Sequence, residues 1–266
     1  MIDTVDWITR HALTLWVLLL VLAVVAGDMT WRGTQRRRLA AGDATRSRHR
    51  RRRTAGLLLA ALVALFALLA WAIDAPTPGE VLTFDAALAT GLHAHLSLPA
   101  LRVIAVLTRL GDLAWVAAAS IVVLLVLLWR RQHQLATWWT LAVVGIVPLN
   151  SALKVLFRRA RPLYDHALIS ESSFSFPSGH AFGAIVFYGM LAYVLVRLLP
   201  AHFHRAVIGA SVSMVCLIGV SRVLLQVHFA SDVLGGFTSG AVWLVICIAM
   251  AEHWRERSLP AASDPN

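Results

Sequence analysis

Three short polar segments stand at the ends of apolar runs in this chain, and they hold the side chains best suited to chemistry. The first reads KVLFRRARP and carries Lys154, Arg161 and Pro162; the second is PSGH, Pro177 to His180; the third, SRVLLQVHFASD, sets Ser221, Arg222, His228 and Asp232 at fixed offsets. Lys154, Arg161 and Arg222 supply three cations, two of them planar forks matched to the oxygens of a phosphate. Ser178 and Gly179 stand where a helix begins, so Ser178 is placed to cap it while backbone N–H groups face an anion, and glycine lets a ligand approach the backbone closely. His228 lies four residues before Asp232. On a helix that spacing lets the carboxylate hold one imidazole nitrogen and leaves the other free as nucleophile or base. His180 is the candidate acid. Phosphoryl transfer needs charge stabilisation on the equatorial oxygens, an in-line nucleophile and a proton for the leaving oxygen, and the three segments contain all of these.

The ordered trio is similar to the type-two phosphatidic acid phosphatase superfamily of membrane lipid phosphatases. That family's pattern is Lys, six residues, Arg-Pro; then Pro-Ser-Gly-His; then Ser-Arg, five residues, His, three residues, Asp. Lys154 to Pro162, Pro177 to His180 and Ser221 to Asp232 match it without departure. The resemblance implies that His228 is the nucleophile that forms a phosphohistidine, that Asp232 orients it, and that His180 protonates the leaving group. It also implies phosphate binding by Lys154, Arg161, Ser178, Gly179 and Arg222, with no metal and no other cofactor. It covers roughly residues 55–251 and implies a six-helix bundle, so the N-terminal helix and an arginine-rich block are additions it does not explain.

These residues must be positioned by membrane-spanning helices. Of 266 residues, 59% are hydrophobic and 14% charged, and mean hydropathy is +0.72. That balance excludes a water-soluble globular domain and a disordered chain. Cys216 and Cys247 both sit inside apolar runs, so neither a disulfide framework nor a CxxC metal pair is present. A span takes about 20 apolar residues, and seven stretches approach that length: 12–27, 55–73, 113–129, 137–156, 179–199, 207–225 and 233–251. The expected fold is therefore all-α, a polytopic membrane bundle, in which the resemblance implies a six-helix phosphatase core plus one extra N-terminal transmembrane helix. Three regions follow: 1–53 as the N-terminal helix and a basic cytoplasmic loop, 54–252 as the lipid phosphatase domain, and 253–266 as a disordered cytoplasmic tail. Residues 74–112, broken by Pro76, Pro78 and Pro99, alternate around Phe84, Leu88, Leu92 and Leu96 as a helix lying on the outer membrane surface would. Asp112 reads as the N-cap of the helix that follows.

Charge sets the orientation. Ten arginines lie between Thr30 and Arg53 with a single acid, Asp43, and they account for most of the net charge of +10. Placing that block in the cytoplasm puts 16 of the 24 Lys and Arg residues inside. Five of the other eight, Lys154, Arg158, Arg159, Arg161 and Arg222, crowd the motif segments, where a topology rule alone would not put them. The expected location is the inner membrane, multi-pass, with the site on the periplasmic or extracytoplasmic side.

Simpler roles compete for several residues. Lys154 could snorkel at a helix end, but it is the one lysine in a chain that otherwise uses arginine, and it falls at the motif position. Arg158 and Arg159 read as headgroup contacts, His93, His95 and His166 as interfacial residues, and the arginine block as a topology anchor and anionic-lipid patch. The cationic companions of His180, His228 and Asp232 argue against a divalent metal. Expected partners are a lipid phosphate and membrane lipids, with no nucleic acid; no feature fixes an oligomeric state. The leading reading is a lipid phosphatase with undecaprenyl diphosphate ranked ahead of a glycerophospholipid phosphate. A phosphotransferase of the same superfamily and a non-catalytic anion transporter are the alternatives.

Overall fold

The computed structural model describes residues 2–22, 25, 29, 44–74, 79–162 and 173–258, with the backbone alone described over 44–52. His166, the arginines at 32–38 and the segment 259–266 lie outside these residues. The elements are α1 (Ile2–Arg10), α2 (Ala12–Leu22), α3 (Ala44–Asp74), α4 (Glu80–His95), α5 (Leu98–Leu107), α6 (Leu113–Trp129), α7 (His133–Val144), α8 (Ile146–Phe157), α9 (Gly179–Leu198), α10 (His204–Leu224) and α11 (Ala230–Ser258). Helix makes up 87% of the described residues, and no strand occurs among them. In a bilayer each backbone polar group must be satisfied within the protein, and helices do this segment by segment.

Among the described residues, five helical segments are long and apolar enough to cross a membrane: Arg53–Asp74, His133–Phe157, Gly179–Leu198, Ala201–Leu224 and Ala230–Arg257. Two bent pairs raise the number to seven if each counts as one span, and α6 is a shorter apolar helix. The protein is thus an all-α polytopic membrane bundle. The span His133–Phe157 is made of α7 and α8, which meet at Gly145, where a Cβ would lie 2.7 Å from the Trp243 ring. The first expected span, 12–27, is α2 as far as its described residues go, and it turns by 76° from α1. The last helix continues to Ser258, beyond residue 252, because Glu252 pairs with Arg255 and Arg197 and accepts a hydrogen bond from Tyr193.

The segment expected to lie on the membrane surface is helical but differs in form. α4 and α5 meet at 117°, Ser97 and Pro99 marking the start of α5. The face bearing Leu88 and Leu92 does turn inward, as its spacing requires, but it packs with Leu101, Ile104, Val5, Trp16, Leu224 and Leu225 into a core of its own. The segment is part of the bundle because its apolar face meets protein on α1, α2 and α10.

A larger core joins α6, α7, α9, α10 and α11 around Trp139, Phe182, Phe187, Met190 and Ile218. Small residues let α9 and α11 approach closely. A Cβ on Gly236 would stand 2.5 Å from the Ser178 carbonyl oxygen, and one on Gly240 would stand 2.9 Å from that of Phe182. Helix association without a hydrophobic driving force relies on such close backbone contact. Gly236→Ala should therefore lower stability by about 1–3 kcal/mol, whereas Gly56→Ala, inside α3 with nothing within 4 Å of the added Cβ, should leave it unchanged or raise it by up to about 1 kcal/mol. Thermal unfolding of the two variants in one detergent measures the difference.

Candidate functional site

The N-terminus of α11 is the point where the motif segments meet. The first backbone N–H groups of a helix have no partner inside it. Here the Phe229 N–H donates to Asp232 Oδ2 at 2.8 Å and the Ser231 N–H donates to Asp85 Oδ1 at 3.2 Å. Asp232, with no exposed surface, thus closes its own helix as the acidic member of a capping box does. Its Oδ2 also accepts from Ser175 Oγ at 2.5 Å, and its Oδ1 accepts from Arg159 Nη1 at 2.6 Å.

His228 sits just before this helix. The four-residue spacing brings the two together, but the pair does not bond directly across a helical turn as expected, because His228 precedes Ala230, where the helix begins. His228 Nδ1 is 3.6 Å from Asp232 Oδ2 and 3.4 Å from Ser175 Oγ, which stands between them. On the other side, Arg161 Nη1 donates to His228 Nε2 at 3.1 Å, so Nε2 carries the lone pair and Nδ1 the proton. Burial pushes the His228 pKa down to about 4, Arg161 and Arg222 push the same way, and Asp232 partly offsets them. His228 is a neutral imidazole at neutral pH with its unprotonated Nε2 turned toward a cation.

Arg161 stands against this nitrogen, and with Lys154 it lines the adjoining cavity. Arg222 is fully buried, and its carbonyl accepts the His228 N–H at 3.3 Å. Arg161 also donates to Val227 O at 2.6 Å and to Ser173 O at 2.7 Å. Lys154 donates to Ser173 Oγ at 2.8 Å and to Phe174 O at 2.7 Å. Lys154, Arg161, Ser173 and Phe174 line a cavity of about 410 Å³ that also touches Ser151 and Arg159. Its volume exceeds that of a single phosphate and leaves space for part of a larger headgroup.

Ser178 occupies the N-cap position of α9, and its N–H donates to the Asp232 carbonyl at 2.9 Å. The expected side-chain cap is not made. The Ser178 hydroxyl is buried with no hydrogen-bond partner among the described residues, which is costly unless a ligand supplies one. Gly179 follows, and a Cβ there would lie 3.0 Å from Asn150 Oδ1. His180 Nε2 lies 2.9 Å from Asp112 Oδ1. Asp112 does stand at the N-cap position of α6, but its carboxylate serves His180 in place of the helix end.

All eight residues expected to form the site are therefore joined to the N-terminal ends of α9 and α11 or to the cationic cavity beside them. Four others were not legible as site residues: Asp85, Asp112, Arg159 and Ser175. Arg159, expected to be a headgroup contact, is turned into the protein. Its side chain is 10% exposed, bridges Asp85 and Asp232, and stacks 4.4 Å from the Phe229 ring centroid. Arg158 ends α8 in a left-handed conformation, its N–H on the Lys154 carbonyl. His93 lies 3.3 Å from Gln226 Oε1, and His95 packs beside Thr9 and Asp6. Among the described residues, no group of three His, Cys, Asp or Glu side chains is arranged to hold a metal ion.

Residues 134–256 match the family model described as PAP2 superfamily. Phosphatidylglycerophosphatase B of Bacillus subtilis (strain 168) is 51% identical over 96 residues, which make up 35% of this chain and 46% of that protein. The aligned stretch thus spans less than half of that relative's length. A solved structure described as the first transmembrane PAP2 type phosphatidylglycerolphosphate phosphatase from Bacillus subtilis superposes with a TM-score of 0.68 at 29% identity, covering 77% of this chain and 98% of that chain.

The burial of His228 has a measurable consequence. In histidine-labelled protein in micelles, with the signal assigned by its loss in His228→Gln, the ring should titrate near pH 4, against about 6.5 for a free imidazole. The unfolded chain takes up this proton below about pH 6.5 while the folded chain does not until about pH 4, so this group reduces stability as pH falls through that window. An NMR titration midpoint between 6 and 7 would contradict the geometry.

Proposed function

With residues 134–256 forming a PAP2-superfamily domain inside a polytopic membrane bundle, we propose that this protein is a lipid phosphatase working through a phosphohistidine. The observation that carries the reading is the neutral, buried His228 with Nε2 facing Arg161 beside a cationic cavity. Nε2 attacks the phosphorus in line, a P–N bond forms, and the P–O bond to the lipid breaks. His180, held by Asp112, donates its proton to the departing lipid oxygen. Water then attacks the phosphorus as His180 takes back a proton, and the P–N bond breaks to release phosphate and restore His228. Lys154, Arg161 and Arg222, with the Ser178 hydroxyl and the first N–H groups of α9 beginning at Gly179, bind the equatorial oxygens. Asp232 orients the imidazole through Ser175 and stabilises its positive charge once the phosphoryl group is attached.

The substrate is a phosphate at headgroup depth whose tail stays in the bilayer. The five cations of the motif segments suit two phosphates, which by itself favours undecaprenyl diphosphate over a lone monoester. A phosphatidylglycerophosphate also carries two, a phosphodiester and a terminal monoester, so charge does not separate them. The likeness to a phosphatidylglycerophosphatase supports the glycerophospholipid, and it is placed first. The basic loop side of the bundle faces the cytoplasm and the site faces outward, a reading supported by the arginine count alone.

Purified protein should release phosphate from phosphatidylglycerophosphate at least tenfold more efficiently than from a polyprenyl diphosphate in the same micelles; the opposite order restores undecaprenyl diphosphate to first place. No release from any member of a lipid panel, with phosphate still bound, would favour an anion transporter. His228→Ala should reduce turnover by roughly 10⁴-fold or more, and Asp232→Asn by about 10²–10⁴-fold, since it removes orientation but leaves the nucleophile. Activity should persist in EDTA because Lys154, Arg161 and Arg222 supply the positive charge. Loss on chelation that an added divalent metal reverses would overturn that assignment.

A further inference from the structure

Asp85 lies on α4, outside the matched domain of 134–256, and it is 2% exposed. An acid buried in an apolar bundle needs a compensating partner. Its Oδ2 is 2.9 Å from Arg159 Nη2 and accepts from Ser231 Oγ, while its Oδ1 accepts the Ser231 N–H at 3.2 Å. The same guanidinium donates through Nη1 to Asp232 Oδ1 at 2.6 Å and to Ser231 Oγ at 2.7 Å. One buried cation therefore spans two buried carboxylates, one in the phosphatase motif and one outside it.

This arrangement bears on how much of the Asp232 charge reaches His228. Arg159 alone against Asp232 would neutralise the carboxylate that must stabilise a phosphorylated, positively charged imidazole. A second carboxylate on the same guanidinium divides that cation's attraction, so the cluster of Asp85, Arg159 and Asp232 keeps one net negative charge beside His228. We propose that Asp85 is a positioning residue of the phosphatase reaction: it balances Arg159 and thereby keeps the charge of Asp232 available to His228. The inference rests on the phosphatase reading given above. It also predicts an inverted pattern of substitution effects. Losing Asp85 alone leaves Arg159 fully committed to Asp232, whereas losing both releases Asp232 again.

The test is steady-state phosphate release by full-length protein in micelles. Asp85→Asn keeps the shape of the side chain and an acceptor for Ser231 while removing its charge. It should lower kcat by about 10–100-fold with KM within about threefold of wild type, the signature of an interaction used in the transition state. The double variant Asp85→Asn with Arg159→Gln should recover at least about fivefold over the single variant, an outcome that a purely structural role for the ion pair would not produce. Asp85→Asn within twofold of wild type, or a double variant no better than the single, overturns the inference. Where Asp85→Asn does not elute as folded protein, the double variant, which leaves no unbalanced buried charge on Arg159, is compared directly with wild type: kcat should lie within about twentyfold of wild type at similar KM, and a larger loss overturns the inference. Wild-type protein that releases no phosphate removes the phosphatase reading and this inference with it; active wild type beside an unaffected Asp85→Asn removes this inference alone.

Discussion

Asp232 has no exposed surface and stands in the first turn of a helix that is otherwise largely apolar, so each bond it makes is obligatory. Its two oxygens take the Phe229 N–H, the Ser175 hydroxyl and the Arg159 guanidinium. Each of those partners comes from a different stretch of chain, and each is held in turn. Ser175 donates its N–H to the Arg159 carbonyl, Arg159 reaches on to Asp85, and the Asp232 carbonyl itself accepts the Ser178 N–H. The loop before α9, the end of α8 and the broken helix at α4 are all positioned by the need to satisfy this one carboxylate.

That need also explains why the small residues lie where they do. For the Ser178 N–H to reach the Asp232 carbonyl, the start of α9 must lie almost against α11, and Gly236 leaves the space. Gly235 does the same for Phe176, whose ring also packs on Phe66 and Phe157. Apolar packing and polar satisfaction are one arrangement at this end of the bundle, because the residues that seat the helices are neighbours of those that hold the charges.

The fold class was legible in the hydropathy of the runs, and the motif residues were legible in their spacing, since both signals are local. The contacts that tune those residues are not local. Arg159 looked like a headgroup contact because its burial depends on Asp85, far back in the chain and in a segment whose sequence reads as a surface helix. Asp112 was correctly read as standing where a helix begins, yet nothing nearby reveals that its carboxylate turns to His180. Ser175 belongs to a serine-rich stretch with no periodicity to distinguish it. The four-residue interval from His228 to Asp232 predicted proximity but not the intervening hydroxyl, because the helix starts between the two.

In the proposed phosphatase reaction, the cations of the cavity set how a phosphate enters and leaves. Lys154 is already bonded to Ser173 Oγ and Phe174 O, and Arg161 to Ser173 O and Val227 O. An arriving phosphate exchanges these protein acceptors for its own oxygens, so the count of hydrogen bonds changes little and the gain comes from charge. The reverse exchange is equally easy: when the freed inorganic phosphate departs, the carbonyls of the Ser173–Phe174 loop take the cations back. Under that proposal, occupancy by the small product is shallow, and a tailed lipid, which adds its own anchorage in the bilayer, displaces it without the cations ever being left bare.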